Sequence, residues 1–300
     1  MALVLVMILS FLVVLAFGVG LSIPFFGKNL MAGPDTFSNY SDPGTIAMLK
    51  YLQMVNQLGA FIIPAFIFVF LTDDNYKGYL KLDSRFKSFG PIFGIVLLFV
   101  SLPFIGWLID INGNLHLPEF MGGIERWMRE SEDKAENLTD AFLSSSSWIG
   151  FFINLVMIGI LAALGEELIF RGILLRLFHE WTRNTHLAVV ISALIFSAFH
   201  LQFYGFFARF ILGITLGYLF VWTGSLWVPI IVHFVNNALA VVVSFLDQRG
   251  IITVQLENFG TSKNAVVIAG SGIMMVFIMV MIRLHENGYF KKRREWDSNP

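Results

Sequence analysis

Residues 148–172 read WIGFFINLVMIGILAALGEELIFRG, a long apolar run that ends in two adjacent glutamates and an arginine. Ionisable side chains at or near hydrocarbon are costly and need a structural or chemical reason to be there. Two later apolar segments carry polar insertions of their own, at Phe196–His200 and at His233–Asn237. We predict that the three insertions meet inside a helical bundle and form one site.

The composition is that of a membrane protein. Of the 300 residues, 56% are hydrophobic and 14% are charged, whereas a soluble globular domain is about 25% charged. The lipid bilayer is therefore an expected partner. Nucleic acid is not, because the chain has no basic stripe of the kind that binds it. The sequence contains no cysteine, which excludes disulfides, thiolate catalysis and cysteine-based metal sites.

Runs of roughly 17–25 mostly apolar residues predict membrane-spanning helices. The chain has eight such runs, so the predicted fold is an all-α polytopic membrane bundle of about eight transmembrane helices. The fourth run is expected to continue as a longer helix through Arg171, as far as Trp181. The predicted spans are approximately Leu3–Ile23, Gln53–Leu71, Pro91–Ile109, Trp148–Gly165, Leu187–Phe203, Phe206–Thr223, Leu226–Phe245 and Ala265–Leu284.

The positions of lysine and arginine predict the orientation in the membrane. These residues concentrate in cytoplasmic flanks, and an even number of spans puts three basic segments on one side with the N-terminus. The N-terminal run lacks the features of a cleaved signal peptide, so we expect it to stay as the first span. We predict a multi-pass protein of the bacterial cell membrane with both termini cytoplasmic. The basic residues are Lys77, Lys81, Arg85, Lys87, Arg171, Arg176, Arg183, Lys291, Lys292, Arg293 and Arg294.

Three regions are predicted along the chain. Residues 1–147 hold the first three spans and outer loops, residues 148–247 hold the polar insertions, and residues 248–300 hold the last span and a basic tail. Loop 24–52 is rich in Gly, Pro, Asn and Asp and should be irregular. Residues 117–142 place apolar side chains at helical spacing, with acidic side chains on the other face. This pattern predicts an acidic amphipathic helix outside the membrane, packed over the bundle.

The two glutamates are predicted to have different roles. Glu167 and Arg171 are four residues apart and share a helix face, and a pair in a low-dielectric bundle costs far less than either charge alone. Glu166 projects about 100° away from Glu167, so it is free to act as a general base. The alternative is that both glutamates only cap or pair at the cytoplasmic interface.

The other two insertions supply imidazoles and amides. Phe196 lies four residues before His200 and is predicted to support its ring. His233 and Asn237 are also four apart, and together they could donate hydrogen bonds to a developing oxyanion. Asn236 is the second candidate donor. The alternative for these residues is packing and interhelical hydrogen bonding.

The combined side chains suit the hydrolysis of an amide bond by an activated water. They also partly suit zinc, since Glu166, His200 and His233 are possible ligands, although the chain has no HExxH motif. No cofactor is expected, and zinc is the alternative.

The three motifs resemble the signature of the CAAX protease and bacteriocin-processing family, known as CPBP or Abi. That signature is EExxxR, then FxxxH, then HxxxN or HxxxD, on successive membrane helices. In this chain the motifs are Glu166–Arg171, Phe196–His200 and His233–Asn237, and the resemblance covers about Trp148–Leu246. The stretch Ser225–Pro229 resembles the bacterial branch of the family.

This resemblance implies an intramembrane endopeptidase that hydrolyses peptide bonds of membrane-associated proteins or peptides. Carried over by motif, Glu166 and His200 activate the water, and His233 and Asn237 form the oxyanion hole. Glu167 and Arg171 hold the first motif together. The family was long labelled metalloprotease, but the glutamate mechanism needs no metal.

Two other functions remain open from the sequence. Relatives linked to self-immunity suggest a non-proteolytic membrane scaffold or bacteriocin self-immunity protein. A small transporter is the third hypothesis, but the chain shows no convincing inverted repeat.

The predicted spans leave one conflict. At 1.5 Å per residue, His200 lies roughly 20 Å deep in the fifth span. With the predicted bounds of the fourth span, Glu166 falls near the cytoplasmic end of that span. The two residues can meet only if the fifth span tilts or starts outside the hydrocarbon, or if the true helix ends differ.

Overall fold

The structure, a computed structural model, describes residues 1–27, 39–84, 89–253 and 259–285. In these ranges the regular elements are all helical, which confirms the predicted all-α class. A single 3₁₀ turn, Glu119–Met121, precedes the fifth helix. The helices are α1 (Ala2–Phe26), α2 (Pro43–Thr72), α3 (Tyr76–Leu80), α4 (Gly90–Gly113), α5 (Gly122–Leu143), α6 (Trp148–Thr182), α7 (Thr185–Phe199), α8 (Phe206–Thr223), α9 (Trp227–Gln248) and α10 (Ala265–His285).

The chain is a polytopic membrane protein, which confirms the predicted bundle of about eight spans, although one predicted span is shorter than expected. Among the described residues, seven helices are long and apolar enough to cross a membrane. The predicted fifth span is the 15-residue helix α7, which is about 22 Å long and shorter than a hydrocarbon core of about 30 Å. The other spans are confirmed as helices, with α2 beginning ten residues earlier than predicted.

Helix α6 is the long helix that the sequence predicted, and it removes the conflict in depth. It runs for 35 residues, from Trp148 to Thr182, so Glu166 lies near its middle rather than at its end. Glu166 is 16 residues before Thr182, or about 24 Å along the axis. His200 follows the full length of α7, which starts three residues after Thr182. Measured from the turn that joins α6 and α7, Glu166 and His200 therefore lie at a similar distance along their helices.

Two π-helical segments, Leu155–Leu161 and Leu168–Leu174, flank the glutamate pair in α6. A π-helical segment shifts the backbone hydrogen-bond register and is often found at functional sites. Side chains of neighbouring helices bond to carbonyls in both segments. Asn237 Nδ2 donates to Ile158 O at 3.0 Å, and Ser192 Oγ donates to Phe170 O at 2.9 Å. These bonds fix α9 and α7 against α6 on either side of the glutamates.

Helices α7 and α8 approach closely at two glycines. A Cβ on Gly213 would lie 3.0 Å from Ala193 Cβ and 3.2 Å from the Phe196 ring. A Cβ on Gly217 would lie 3.0 Å from Val189. Gly213 and Gly217 therefore allow α7 and α8 to pack closely, as small residues do in membrane bundles.

We expect Gly213→Ala to destabilise the protein by about 1–3 kcal/mol, because the added methyl group overpacks a tight helix contact. Thermal unfolding in detergent micelles measures the effect. Gly20→Ala is the matched control, since a Cβ there meets nothing within 4 Å. Equal melting temperatures for the two variants would contradict this packing account.

The acidic amphipathic helix is confirmed as α5, Gly122–Leu143. Its last residues, Ala141, Phe142 and Leu143, are buried. The buried amide of Asn154 in α6 donates to Phe142 O at 2.7 Å, so the C-terminal end of α5 is tied to the start of α6.

Part of the orientation argument lies outside the described residues. This applies to Arg85 and Lys87 and to the basic tail from Lys291 to Arg294. Of the irregular loop predicted at 24–52, residues 28–38 also lie outside the described residues, and the prediction is wrong for residues 43–52, which form the start of α2. The cytoplasmic placement of both termini and the three-region division stay predictions.

Candidate active site

The polar insertions of α6, α7 and α9 meet in the interior of the bundle, as the sequence predicted. Glu166, Glu167, Arg171 and His233 are all at most 8% exposed. The His200 side chain is 29% exposed. Groups of this kind are stable at such burial only when they are paired and hydrogen-bonded.

Glu167 and Arg171 form the buried ion pair that their spacing predicted. Arg171 Nη1 donates to Glu167 Oε1, and Arg171 Nη2 donates to Gly213 O at 3.2 Å. The guanidinium also lies 4.5 Å from the centre of the Phe196 ring. Arg171 therefore compensates Glu167 and joins α6 to α7 and α8.

His233 lies between the two glutamates. Its Nδ1 is 2.8 Å from Glu167 Oε1, so Nδ1–H donates to the carboxylate. Its Nε2 is 3.8 Å from Glu166 Oε2, which is too long for a direct hydrogen bond. The Glu167 carboxylate thus orients the ring and turns Nε2 towards Glu166.

His200 faces the same oxygen from the other side. Its Nδ1–H donates to Phe196 O at 2.9 Å, so the neutral ring has its lone pair on Nε2. That atom is 3.9 Å from Glu166 Oε2. Glu166 Oε2 is buried and has no hydrogen-bond partner within the described ranges. Glu166 Oε2 therefore lies between the Nε2 atoms of His200 and His233.

Phe196 contacts more residues of this cluster than the sequence indicated. The predicted contact with His200 is confirmed, with ring centroids 5.0 Å apart in an edge-to-face arrangement. Phe196 also packs edge-to-face against His233 at 5.9 Å and lies under Arg171. The FxxxH spacing reveals the first of these contacts, but the other two depend on how α6, α7 and α9 pack.

Asn237 is placed differently from the expectation. Its Nδ2 donates to Ile158 O, and its Oδ1 accepts a hydrogen bond from Asn236 at 3.2 Å. In the described structure it makes no hydrogen bond to the glutamates or histidines. Asn236, the second candidate donor, lines a separate cavity of about 220 Å³ between α4, α8, α9 and α10.

The cluster contains more carboxylates than guanidinium groups. Two carboxylates face one guanidinium, so the cluster carries one uncompensated negative charge while both histidines are neutral. Within the described ranges, no group of three His, Cys, Asp or Glu side chains has the arrangement of a metal site.

The segment that carries this cluster has known relatives. Residues 148–239, from α6 to the first half of α9, match the family described as type II CAAX prenyl endopeptidase Rce1-like. This segment is similar to Rce1-like domains. The match confirms the family resemblance, and all three motifs lie inside it.

A curated relative carries a similar segment. The protein described as uncharacterized protein YpbD, from Bacillus subtilis (strain 168), is 32% identical to this chain over 89 residues. These residues make up 28% of this chain and 42% of that protein, so less than half of its length is matched. No solved structure matches the chain. The Rce1-like domain supports a protease of the CAAX type in general terms, without identifying the reacting residues.

Proposed function

We propose that the protein is an intramembrane endopeptidase that uses a water activated by Glu166 and His200. The observation that carries this proposal is the buried Glu166 Oε2, which lies 3.8–3.9 Å from Nε2 of both histidines. A water bonded to this oxygen would be within reach of both rings. The buried setting increases the effect of each charge on a reacting group, because the local dielectric constant is low.

The proposed reaction is a direct attack of water on a peptide carbonyl. Glu166, helped by His200, takes one proton from the water, and the resulting hydroxide bonds to the carbonyl carbon. The peptide C–N bond then breaks as the proton passes to the leaving nitrogen. The products are a carboxylic acid and an amine, so one water is consumed for each bond cleaved.

His233 and Asn237 are the proposed donors to the oxyanion. Because His233 Nδ1–H is directed at Glu167, donation through Nε2 requires the protonated imidazolium form of the ring. In that form Nδ1–H still donates to Glu167 Oε1. Asn237 retains one amide N–H beyond the bond to Ile158, which the second oxyanion contact would use. Glu167 and Arg171 orient these groups.

The proposed substrates are membrane-associated proteins or peptides, because the reacting groups lie in the interior of a membrane bundle. The test is cleavage of a quenched peptide library that includes membrane-anchored sequences, with the protein in lipid nanodiscs. We expect cleavage by wild type and its loss in His200→Ala.

A chelator arm of the same assay tests the zinc alternative. We expect the cleavage rate to be unchanged by a chelator, because in the proposed mechanism Glu166 and His200 activate the water without a metal ion. Loss of activity with the chelator and its recovery with Zn²⁺ would instead make the histidines and Glu166 metal ligands. A cellular phenotype that is retained in Glu166→Gln, with no cleavage by wild type, would favour the scaffold or self-immunity function.

A further inference from the structure

The loop between α7 and α8 begins at His200, so the position of this histidine depends on the loop. His200 is the first residue after the last helical residue of α7. Leu201 follows with φ of +52°, a left-handed conformation that is unfavourable for a branched side chain. Such a conformation persists when the surrounding structure fixes it. The contacts that hold the loop therefore bear directly on the placement of His200.

Three different helices hold the loop through its backbone. Asn112 of α4 donates from Nδ2 to Phe203 O at 2.7 Å. Arg209 of α8 donates from Nη2 to Gln202 O at 2.7 Å. Glu132 of α5 accepts a hydrogen bond from Tyr204 N–H at 3.0 Å. Two of these three residues lie outside the Rce1-like domain.

Glu132 links two of these contacts. While its Oε2 accepts from Tyr204, its Oε1 lies 4.0 Å from Arg209 Nη2. Both side chains are only about one-fifth exposed, at 19% and 22%, so their attraction is less screened than that of a surface pair. One carboxylate of the acidic helix thus holds the loop directly and also holds the arginine that bonds to it.

Aromatic contacts place α5 over the same loop. Trp127 lies 5.1 Å from the Phe203 ring, and the Arg129 guanidinium lies 4.6 Å from the centre of the Tyr204 ring. Glu125 accepts a hydrogen bond from Arg129 at 2.9 Å. The bonds from Arg129 and from the Leu117 N–H lower the pKa of Glu125 to about 2, so Glu125 stays ionised and keeps Arg129 in place at neutral pH.

We propose that Glu132 is a positioning residue: through the loop at 200–205 it holds His200 against Glu166. The acidic helix α5 then supports the active site rather than serving only as a cover. This inference rests on the proposed peptidase function, and it assigns a task to a residue that makes no contact with the reacting groups.

The kinetic test compares three variants of the full-length protein. We expect Glu132→Ala to lower kcat by about 10- to 100-fold with little change in KM, because a small displacement of a reacting group is costly. Glu132→Gln keeps an oxygen that can accept from Tyr204 N–H, so we expect kcat within about threefold of wild type. Glu130→Ala, an exposed carboxylate of the same helix, should match wild type. A kcat for Glu132→Ala equal to that of wild type would overturn the proposal.

A second measurement does not depend on activity. Diethyl pyrocarbonate modifies accessible imidazoles, and mass spectrometry of the digested protein gives the rate for each histidine. In Glu132→Ala we expect His200 to react at least about threefold faster, as local release of a segment increases access. His186 is the internal reference, since it lies in the first turn of α7 and contacts Tyr218 instead.

The labelling result tests the proposal without depending on catalytic activity. If Glu132→Ala does not fold, Asn112→Ala removes a different hold on the same loop and should also raise the His200 rate. If Glu132→Ala folds and diethyl pyrocarbonate modifies its His200 at the wild-type rate, the proposal is overturned. If wild type cleaves no peptide, the proposed function fails, but the labelling still shows whether Glu132 positions His200.

Discussion

In the Glu166→Gln variant, peptide cleavage is expected to fall by about 10²–10⁴-fold, the contribution typical of a general base. The amide has nearly the same shape as the carboxylate but cannot take a proton from water. Glu166 Oε2 has no hydrogen-bond partner in the described residues, so the fold loses no bond at this atom. We therefore expect a melting temperature close to that of wild type, and initial cleavage rates in nanodiscs measure the effect.

The matched control is Glu180→Gln on the same helix. Glu180 forms an exposed pair with Arg176 at 3.1 Å and lies about 21 Å along α6 from Glu166. Its substitution should leave the cleavage rate unchanged. Equal losses of activity in the two variants would indicate a general effect of removing a charge from α6.

The largest expected effect on stability is that of Arg171→Met. Breaking a buried ion pair by removing one partner costs about 3–5 kcal/mol, since the other charge is left buried and uncompensated. Here the loss also removes the bond to Gly213 O and the contact with Phe196. We expect a large drop in the thermal unfolding midpoint in detergent micelles, and a reduced yield of folded protein.

Arg176→Met is the comparison for this prediction, since Arg176 also pairs with a glutamate four residues away on α6. The Arg176 and Glu180 side chains are 26% and 45% exposed, whereas those of Arg171 and Glu167 are 1% and 0% exposed. The Arg176 guanidinium also lies 3.9 Å from the centre of the Tyr79 ring. A partly exposed pair with such a cation–π contact contributes no more than about 1–2 kcal/mol. Similar midpoint shifts for the two variants would contradict the role assigned to the buried pair.

Local spacing predicted the contacts that lie within one helix turn. The four-residue separations of Glu167 and Arg171 and of Phe196 and His200 each became a contact, because residues four apart on a helix lie on one face. The separate direction of Glu166 followed from the same geometry. The apolar runs likewise predicted the membrane fold and the length of α6.

Other features depend on packing and could not be predicted from one sequence. The full span assigned to Leu187–Phe203 is instead a helix that stops at Phe199, because the chain turns at His200 and Leu201. The π-helical segments of α6 contain no proline that would have indicated them. Their carbonyls take the side chains of Ser192 and Asn237, and for this reason Asn237 hydrogen-bonds away from the glutamates.

Contacts between residues that are far apart in the sequence could not be predicted from the sequence either. The pattern of α5 predicted a helix with an acidic face, but no local rule indicates that Glu132 meets Tyr204, 72 residues later. The same holds for the bond between Asn112 and Phe203. These contacts are set by how α4 and α5 pack against the end of α7.

The most direct test of the account is one cleavage reaction followed in water labelled with heavy oxygen, with wild type and Glu166→Gln side by side and a chelator present. The account predicts that wild type forms a product whose new carboxyl group carries one labelled oxygen, at a rate that the chelator does not change. Glu166→Gln should form almost no product in the same time. Cleavage by Glu166→Gln at the wild-type rate would contradict the claim that Glu166 activates the water.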